Sequence, residues 1–256
     1  MTPTIAPLRN VSALMGVVDQ VHNRDFRLPG MAAFYGPSGW GKSSAIVVVA
    51  NEFQAHCVQV MESSTPTFLL ETIMDELGLP KMRGVPYMVK AIGRHLMKSD
   101  RPLIIDDAQY LLQKRMIGVV RDIYESSQAP IILVGEEKLP DDLRRWENVY
   151  NRLLVKEPAM PSSMEDARML ADVYCPNIAI GADLLGKLLE DTSGNTRNIS
   201  NNLVRIKEIM RRSGKSEATL ETWGDRAFET GDLKVRPKGQ TGNADVVTLR
   251  KKAAGK

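Results

Sequence analysis

Residues 36–43 read Gly-Pro-Ser-Gly-Trp-Gly-Lys-Ser, a match at every fixed position to G-x-x-x-x-G-K-[ST]. No other stretch restricts the fold of this chain so strongly. Glycines in such a loop let the backbone curl until several N–H groups point at one anion. The curl is useful only between a buried strand that fixes its start and a helix whose positive end faces the same anion. Both neighbours are present. Residues 31–35 (MAAFY) are an apolar run of strand length, and residues 43–53 (SSAIVVVANEF) make a largely apolar helix. The valines at 47–49 have strand composition, but the loop before them decides for helix. The expected phosphate contacts are Gly36, Pro37, Ser38, Gly39, Trp40, Gly41, Lys42, Ser43 and Ser44. Lys42 has the length to reach the β- and γ-phosphates of ATP, and the Ser43 hydroxyl can ligate Mg²⁺. Trp40 either packs on the back of its own loop, the preferred reading, or stacks on a nucleotide or a neighbouring subunit.

The rest of the chain supplies the strands and helices that this loop requires. A helix is expected over 11–23, a turn at 27–30, a second strand at 56–61, and helices at 67–77 and 87–97 joined by the loop 78–86. A third strand covers 102–106, a long helix 109–126, a fourth strand 129–135, and a short fifth strand 153–155. Apolar strands alternating with helices imply α/β architecture, a parallel sheet covered on both faces. Past 158–161 the pattern turns helical, at 163–174, 182–191, 196–212 and 217–229, with no strand expected. The reading is an α/β nucleotide-binding domain over 1–160, a small all-helical lid over 161–231 and a flexible basic tail over 232–256.

Composition narrows the setting. With 43% hydrophobic and 25% charged residues the chain is an ordinary globular protein. Its longest apolar run, 45–50, is far below the ~20 residues of a membrane helix. The opening MTPTIAPLRN has no secretory pattern, and Cys57 and Cys175 have no metal-ligand spacing, which together suggest the cytoplasm, a host's if the chain is phage-encoded. The net charge of +3 hides an asymmetry: seven basic residues against Asp245 give residues 234–256 a charge of +6, leaving −3 on residues 1–233. The tail can add DNA affinity, dock on a partner or serve solubility.

A second acidic element sorts the nucleotide chemistry. Asp106 and Asp107 end the apolar strand Leu-Ile-Ile, 64 positions after Lys42. An acid there can hold the Mg²⁺ shell, and its neighbour can act as general base on the attacking water.

From these motifs the sequence resembles the AAA+ ATPases, and within them the transposition ATPases of the Mu B, TnsC and IstB type. The resemblance covers about residues 10–230. It rests on the P-loop, LIIDDAQYL (103–111), IILVGEEKL (131–139), DDLRRWENVYNRLL (141–154) and SGNTRNISNNLVRI (193–206). It implies that Arg197, from the Gly-Asn-x-Arg signal, contacts the γ-phosphate from the lid, and that Glu136 stands where a first sensor does. Glutamate departs from the neutral polar residue usual there. Asp107 departs from the usual glutamate base, and its shorter side chain suggests slow hydrolysis suited to a switch. Arg152, with Arg144 and Arg145 as competitors, is the expected finger reaching a neighbouring subunit's nucleotide, so the active form is a ring or helical filament.

The resemblance also implies double-stranded DNA as a partner, contacted without strong sequence preference through Lys81, Arg83, Lys114 and Arg115, with Lys90 and Arg94 nearby. The expected function is an ATP-dependent DNA-binding ATPase that oligomerises on duplex DNA and delivers it to a transposase, with no membrane partner. A helicase-loading ATPase of replication is the leading alternative. A secretion ATPase of the ExeA type and a small-molecule kinase are others.

Overall fold

A computed structural model describes residues 8–231. The basic tail expected at 232–256 lies outside the described residues.

The α/β half runs α1 (Arg9–His22), β1 (Met31–Tyr35), α2 (Lys42–Phe53), β2 (His56–Gln59), α3 (Pro66–Glu76), α4 (Val85–Ser99) and β3 (Leu103–Asp106). It continues with α5 (Gln109–Gln113), α6 (Ile117–Ser127), β4 (Ile131–Gly135), α7 (Leu139–Leu143), α8 (Glu147–Tyr150) and β5 (Leu153–Pro158). The five strands form one parallel sheet in the order β2-β3-β4-β1-β5. Parallel strands buried on both faces need unbroken apolar sequence. β4, Ile-Ile-Leu-Val-Gly, is buried at every position. β1 splits its side chains by the period-two rule: Ala32 and Phe34 enter the layer with α1 and α2, while Met31 and Ala33 enter the layer with α3, α4 and α6.

The second half comprises α9 (Met164–Tyr174), β6 (Ala179–Ile180), α10 (Ala182–Thr192), α11 (Thr196–Ser213), β7 (Glu217–Ala218) and α12 (Leu220–Trp223). Local chemistry starts its helices. Ser163 and Asp166 form a reciprocal capping box on α9, and the Asn195 side chain accepts from Asn198 N at the start of α11. The apolar faces of α9, α10 and α11 join the α1/α2 layer as one continuous core through Leu170, Leu184, Leu203 and Ile206.

The structure corrects the sequence reading in three places. The helix expected over 109–126 is two helices, α5 and α6, broken where Arg115 takes a left-handed φ of 55°. The lid contains two short strands, β6 and β7, paired in parallel, where none was expected. The helix expected over 217–229 shrinks to the four residues of α12. Beyond it, Phe228 stacks on Trp223 with ring centroids 5.1 Å apart. The fully buried Asn202 then binds both backbone groups of Glu229, accepting from its N–H at 2.9 Å and donating to its carbonyl at 2.8 Å. These bonds hold the segment extended against α11 instead of coiled.

Candidate nucleotide site

The P-loop leaves β1 at its C-terminal end. The loops after β3 and β4 emerge at the same end, as parallel topology demands. Gly39 and Gly41 take φ of 83° and 79°. At Gly39 a Cβ would also sit 2.5 Å from the Asn195 side chain, so sterics and backbone both require glycine there. Gly41 caps α2 with no side-chain acceptor on the first-turn N–H groups, which suits them to an anion. Together these elements border a cavity of about 430 Å³.

Most of the expected loop residues, Ser38, Gly39, Gly41, Lys42, Ser43 and Ser44, line this cavity, whereas Gly36, Pro37 and Trp40 do not. Trp40 is half-buried and packs against the α1/α2 core. The Lys42 ammonium donates to the Gly36 carbonyl at 2.7 Å and the Pro37 carbonyl at 2.9 Å. Burial pushes the Lys42 pKa below the ordinary lysine value against the pull of Asp106, Glu136 and Asp107. Burial likewise raises Asp106 above the usual carboxylate value, opposed by its bonds from Ser43 and the Asp107 backbone.

Ser43 Oγ donates to Asp106 Oδ2 at 2.8 Å. This pairing sets two hard oxygen ligands side by side at the phosphate loop, the donor chemistry Mg²⁺ takes alongside substrate phosphates, so the residues fit the ion. Among the described residues no group of three or more His, Cys, Asp or Glu forms a separate metal centre.

Asp107 sits beside this pair with a left-handed φ of 55°. Two amides hold its carboxylate: Gln59 Nε2 donates to Oδ2 at 2.7 Å, and Gln109 Nε2 donates to Oδ1 at 3.1 Å. Gln109 is buried, and its Oε1 accepts from Glu136 N at 3.3 Å, tying the end of β3 to the end of β4. Glu136 lines the cavity. Sequence reasoning missed both glutamines. Gln109 lies two positions past the acid pair, but nothing local marks Gln59, 48 residues upstream of the acid it holds.

The lid closes the other side. Arg197 lines the cavity with Ser200 and Asn201, one helical turn further on the same face of α11, and with Tyr174 from α9. The lid touches the loop directly: Asn195 Nδ2 donates to Ser38 O at 3.0 Å, and Arg197 N donates to Gly39 O at 2.9 Å. A third tie runs through Asn10 of α1, only 4% exposed. Its Nδ2 donates to Trp40 O at 2.7 Å and Met160 O at 2.8 Å, and its Oδ1 accepts from Met160 N at 2.8 Å.

The three arginines proposed as fingers lie in different settings. Arg152 N-terminates β5, and its carbonyl accepts from Met31 N at the start of β1, the end of the sheet remote from the P-loop. Its guanidinium bonds Glu125 and the Asn148 carbonyl. Arg144 and Arg145 are exposed, paired with Asp141 at 3.2 Å and Asp142 at 3.7 Å. Tyr150, then Asp141 and Tyr35, raise the Arg144 pKa above its ordinary value. Lys81, Arg83, Lys114 and Arg115 are all exposed, and none lines the nucleotide cavity.

Residues 25–143 match the family model described as AAA domain. The five-stranded parallel sheet, the P-loop and the flanking helices make this the P-loop AAA+ fold, and the helical C-terminal part is compatible with its lid. Cdc6p of Pyrobaculum aerophilum superposes with a TM-score of 0.61 at 17% identity, over 85% of this chain and 65% of that one. ORC1 of Aeropyrum pernix, solved in complex with DNA, gives 0.57 at 16% identity, over 83% of this chain and 62% of that one. Domain III of the Thermotoga maritima replication initiation protein DnaA gives 0.55 at 17% identity, over 84% and 89%. The chain thus spans 62–65% of the two archaeal chains. No curated protein matches it. No described helix is long and apolar enough to cross a membrane.

Proposed function

We propose that this chain is a Mg²⁺-dependent ATPase that uses ATP to assemble on duplex DNA. The observation that carries the reading is the Ser43–Asp106 pair at 2.8 Å, set against the P-loop with Asp107 alongside. Ser43 and Asp106 would hold Mg²⁺, which when bound supplies positive charge to the β- and γ-phosphate oxygens. Lys42 neutralises the same phosphates, and Arg197 contacts the γ-phosphate from the lid. Asp107 takes the proton of the attacking water. Each of its oxygens accepts one hydrogen bond, from Gln59 or Gln109, and keeps a second lone pair for that water, so the two amides aim the carboxylate without blocking it. An aspartate base, one methylene shorter than glutamate, stands further from the water and turns over slowly, which suits a timer more than a motor.

Completion of the site by a neighbour's arginine makes self-association part of the mechanism. Exposed Arg144 is better placed for this than Arg152, whose guanidinium is committed to Glu125. The client is read at two levels. Shared fold with a replication initiation protein and with an ORC1 bound to DNA favours a replication-type ATPase, an initiator or helicase loader. The segments LIIDDAQYL and SGNTRNISNNLVRI favour target-DNA delivery to a transposase.

The test is duplex-DNA binding by filter retention and electron microscopy with ATP, with ADP and without nucleotide. ATP-promoted complexes that vanish in Lys42→Ala are expected. DNA binding indifferent to both nucleotide and Lys42 overturns the reading. Stimulation of turnover by a replicative helicase or by a transposase then decides the client.

A further inference from the structure

We propose that the exposed face of α4 is the docking surface for the phosphate backbone of duplex DNA, with Lys90, Arg94 and Lys98 as its contacts. The inference rests on the DNA-binding reading above and deepens it.

Charge is the first observation. Residues 77–99 contain five basic residues, Lys81, Arg83, Lys90, Arg94 and Lys98, and no acidic one. Residues 1–233 sum to −3, so without this segment they would carry −8. Positive charge is therefore gathered in a few segments of an otherwise acidic body; residues 193–215 also sum to +5, from six basic residues and Glu208, whereas residues 77–99 reach that charge with no acid among them.

Geometry is the second. Met88, Ile92 and Leu96 recur every four residues and are buried in the layer shared with α6, which fixes the rotation of α4. Lys90, Arg94 and Lys98 recur at the same interval on the outward side, and all three are exposed. The helix rise separates successive cations by about 6 Å, so they form a straight row about 12 Å long. Tyr87 begins the same stripe and is 72% exposed, giving the row a flat aromatic end.

The third observation is that these cations have no internal use. None of the five forms an ion pair among the described residues. The acids of the neighbouring α6 are engaged elsewhere, Asp122 with Arg121 and Glu125 with Arg152. Lys98 in the last turn gains from the helix dipole, but Lys90 and Arg94 sit mid-helix and gain nothing from it. A row of cations with no ion pair among the described residues, on a helix that itself carries no acid, complements a regularly spaced polyanion, and duplex DNA carries one charge per ~3.4 Å of each strand.

The experiment compares Lys90→Ala/Arg94→Ala with Lys207→Ala/Arg211→Ala, which removes the same charge at the same spacing from the exposed side of α11. ATP-dependent binding of the full chain to duplex DNA is followed across 50–300 mM salt, on the order of the range where counterion release dominates. Loss of two phosphate contacts lowers the slope of log K on log salt by about 1.8 per protomer and weakens binding roughly 60-fold at about 0.1 M salt. Basal ATP turnover stays at the wild-type rate in both variants, which shows that both fold. Unchanged affinity and slope in the α4 variant overturn the proposal, as does an equal loss in the α11 variant. Absence of ATP-promoted DNA binding by the wild type overturns the proposed function itself.

Discussion

Asn10 lies 30 residues from the P-loop and 150 from the interdomain segment, yet its single side chain bonds both. Replacing it with alanine removes three hydrogen bonds, to Trp40 O at 2.7 Å, to Met160 O at 2.8 Å and from Met160 N at 2.8 Å. At roughly 1 kcal/mol net for each, the cost is about 3 kcal/mol, moderated where water reaches the groups around exposed Met160. Asn10→Asp keeps the acceptor but turns a carboxylate oxygen toward two carbonyl oxygens, so it costs at least as much as alanine. Asn23→Ala is the control. That exposed side chain bonds Asp19 at 2.8 Å, and its loss should cost no more than about 0.5 kcal/mol. Urea unfolding is followed by circular dichroism and by the fluorescence of Trp40, Trp146 and Trp223, which report on the loop, the α/β half and the lid. The wild type and Asn23→Ala give coincident transitions. Asn10→Ala lowers the midpoint on every probe and weakens binding of a fluorescent ATP analogue. A cost no larger than that of Asn23→Ala refutes the idea that this side chain pins the loop to the lid.

Three further outcomes are expected. Gln109→Leu, which removes the donor to Asp107 and the acceptor for Glu136 N, lowers kcat at least about tenfold with KM nearly unchanged, since hydrogen bonds to charged groups are worth ~1.5–3 kcal/mol; unchanged steady-state turnover speaks against the positioning role. Arg144→Ala depresses DNA-stimulated turnover without lowering the Tm, whereas Arg152→Ala breaks the Glu125 pair and costs stability of up to about 1 kcal/mol; the reverse pattern in ATPase and melting assays restores Arg152 as the finger. His56 is buried, and desolvation foremost, then Arg101, holds its pKa below the ordinary value, against the pull of Glu76. Its contribution is therefore full above about pH 6.5 and is lost as pH falls toward the depressed folded value, at no more than ~1.4 kcal/mol per pH unit. His56→Phe should flatten that acid limb in melting curves taken from pH 7.5 down to 5, on the order of the range where histidine titrates; an unaltered limb assigns it to other groups.

The parts of the site legible in the sequence are those whose chemistry is packed into a few neighbouring residues. The P-loop, Asp106–Asp107 and the Asn195–Arg197 signal each carry their geometry locally, and the structure brings all three to one cavity. Gln59 and Asn10 do their work across the fold, and an amide side chain has no periodicity or spacing to betray it. The break between α5 and α6 was equally silent, because Arg115 adopts a left-handed backbone without the glycine that normally announces one. The end of the lid misled for a related reason. Residues 217–229 have helical composition, but pairing of β7 with β6 and the grip of Asn202 on Glu229 outweigh a weak local preference.

α11 has 18 residues, so it is a rod about 27 Å long. One end is joined to the P-loop by Asn195 and Arg197 N, and the other carries Arg211 and Arg212 at the protein surface. Such a rod magnifies displacement. Pivoting by about 10° at its fixed end carries the far end through about 5 Å, by the same helix dimensions. A small adjustment of the loop around a phosphate can thus emerge as a larger movement at the surface that carries Arg211 and Arg212.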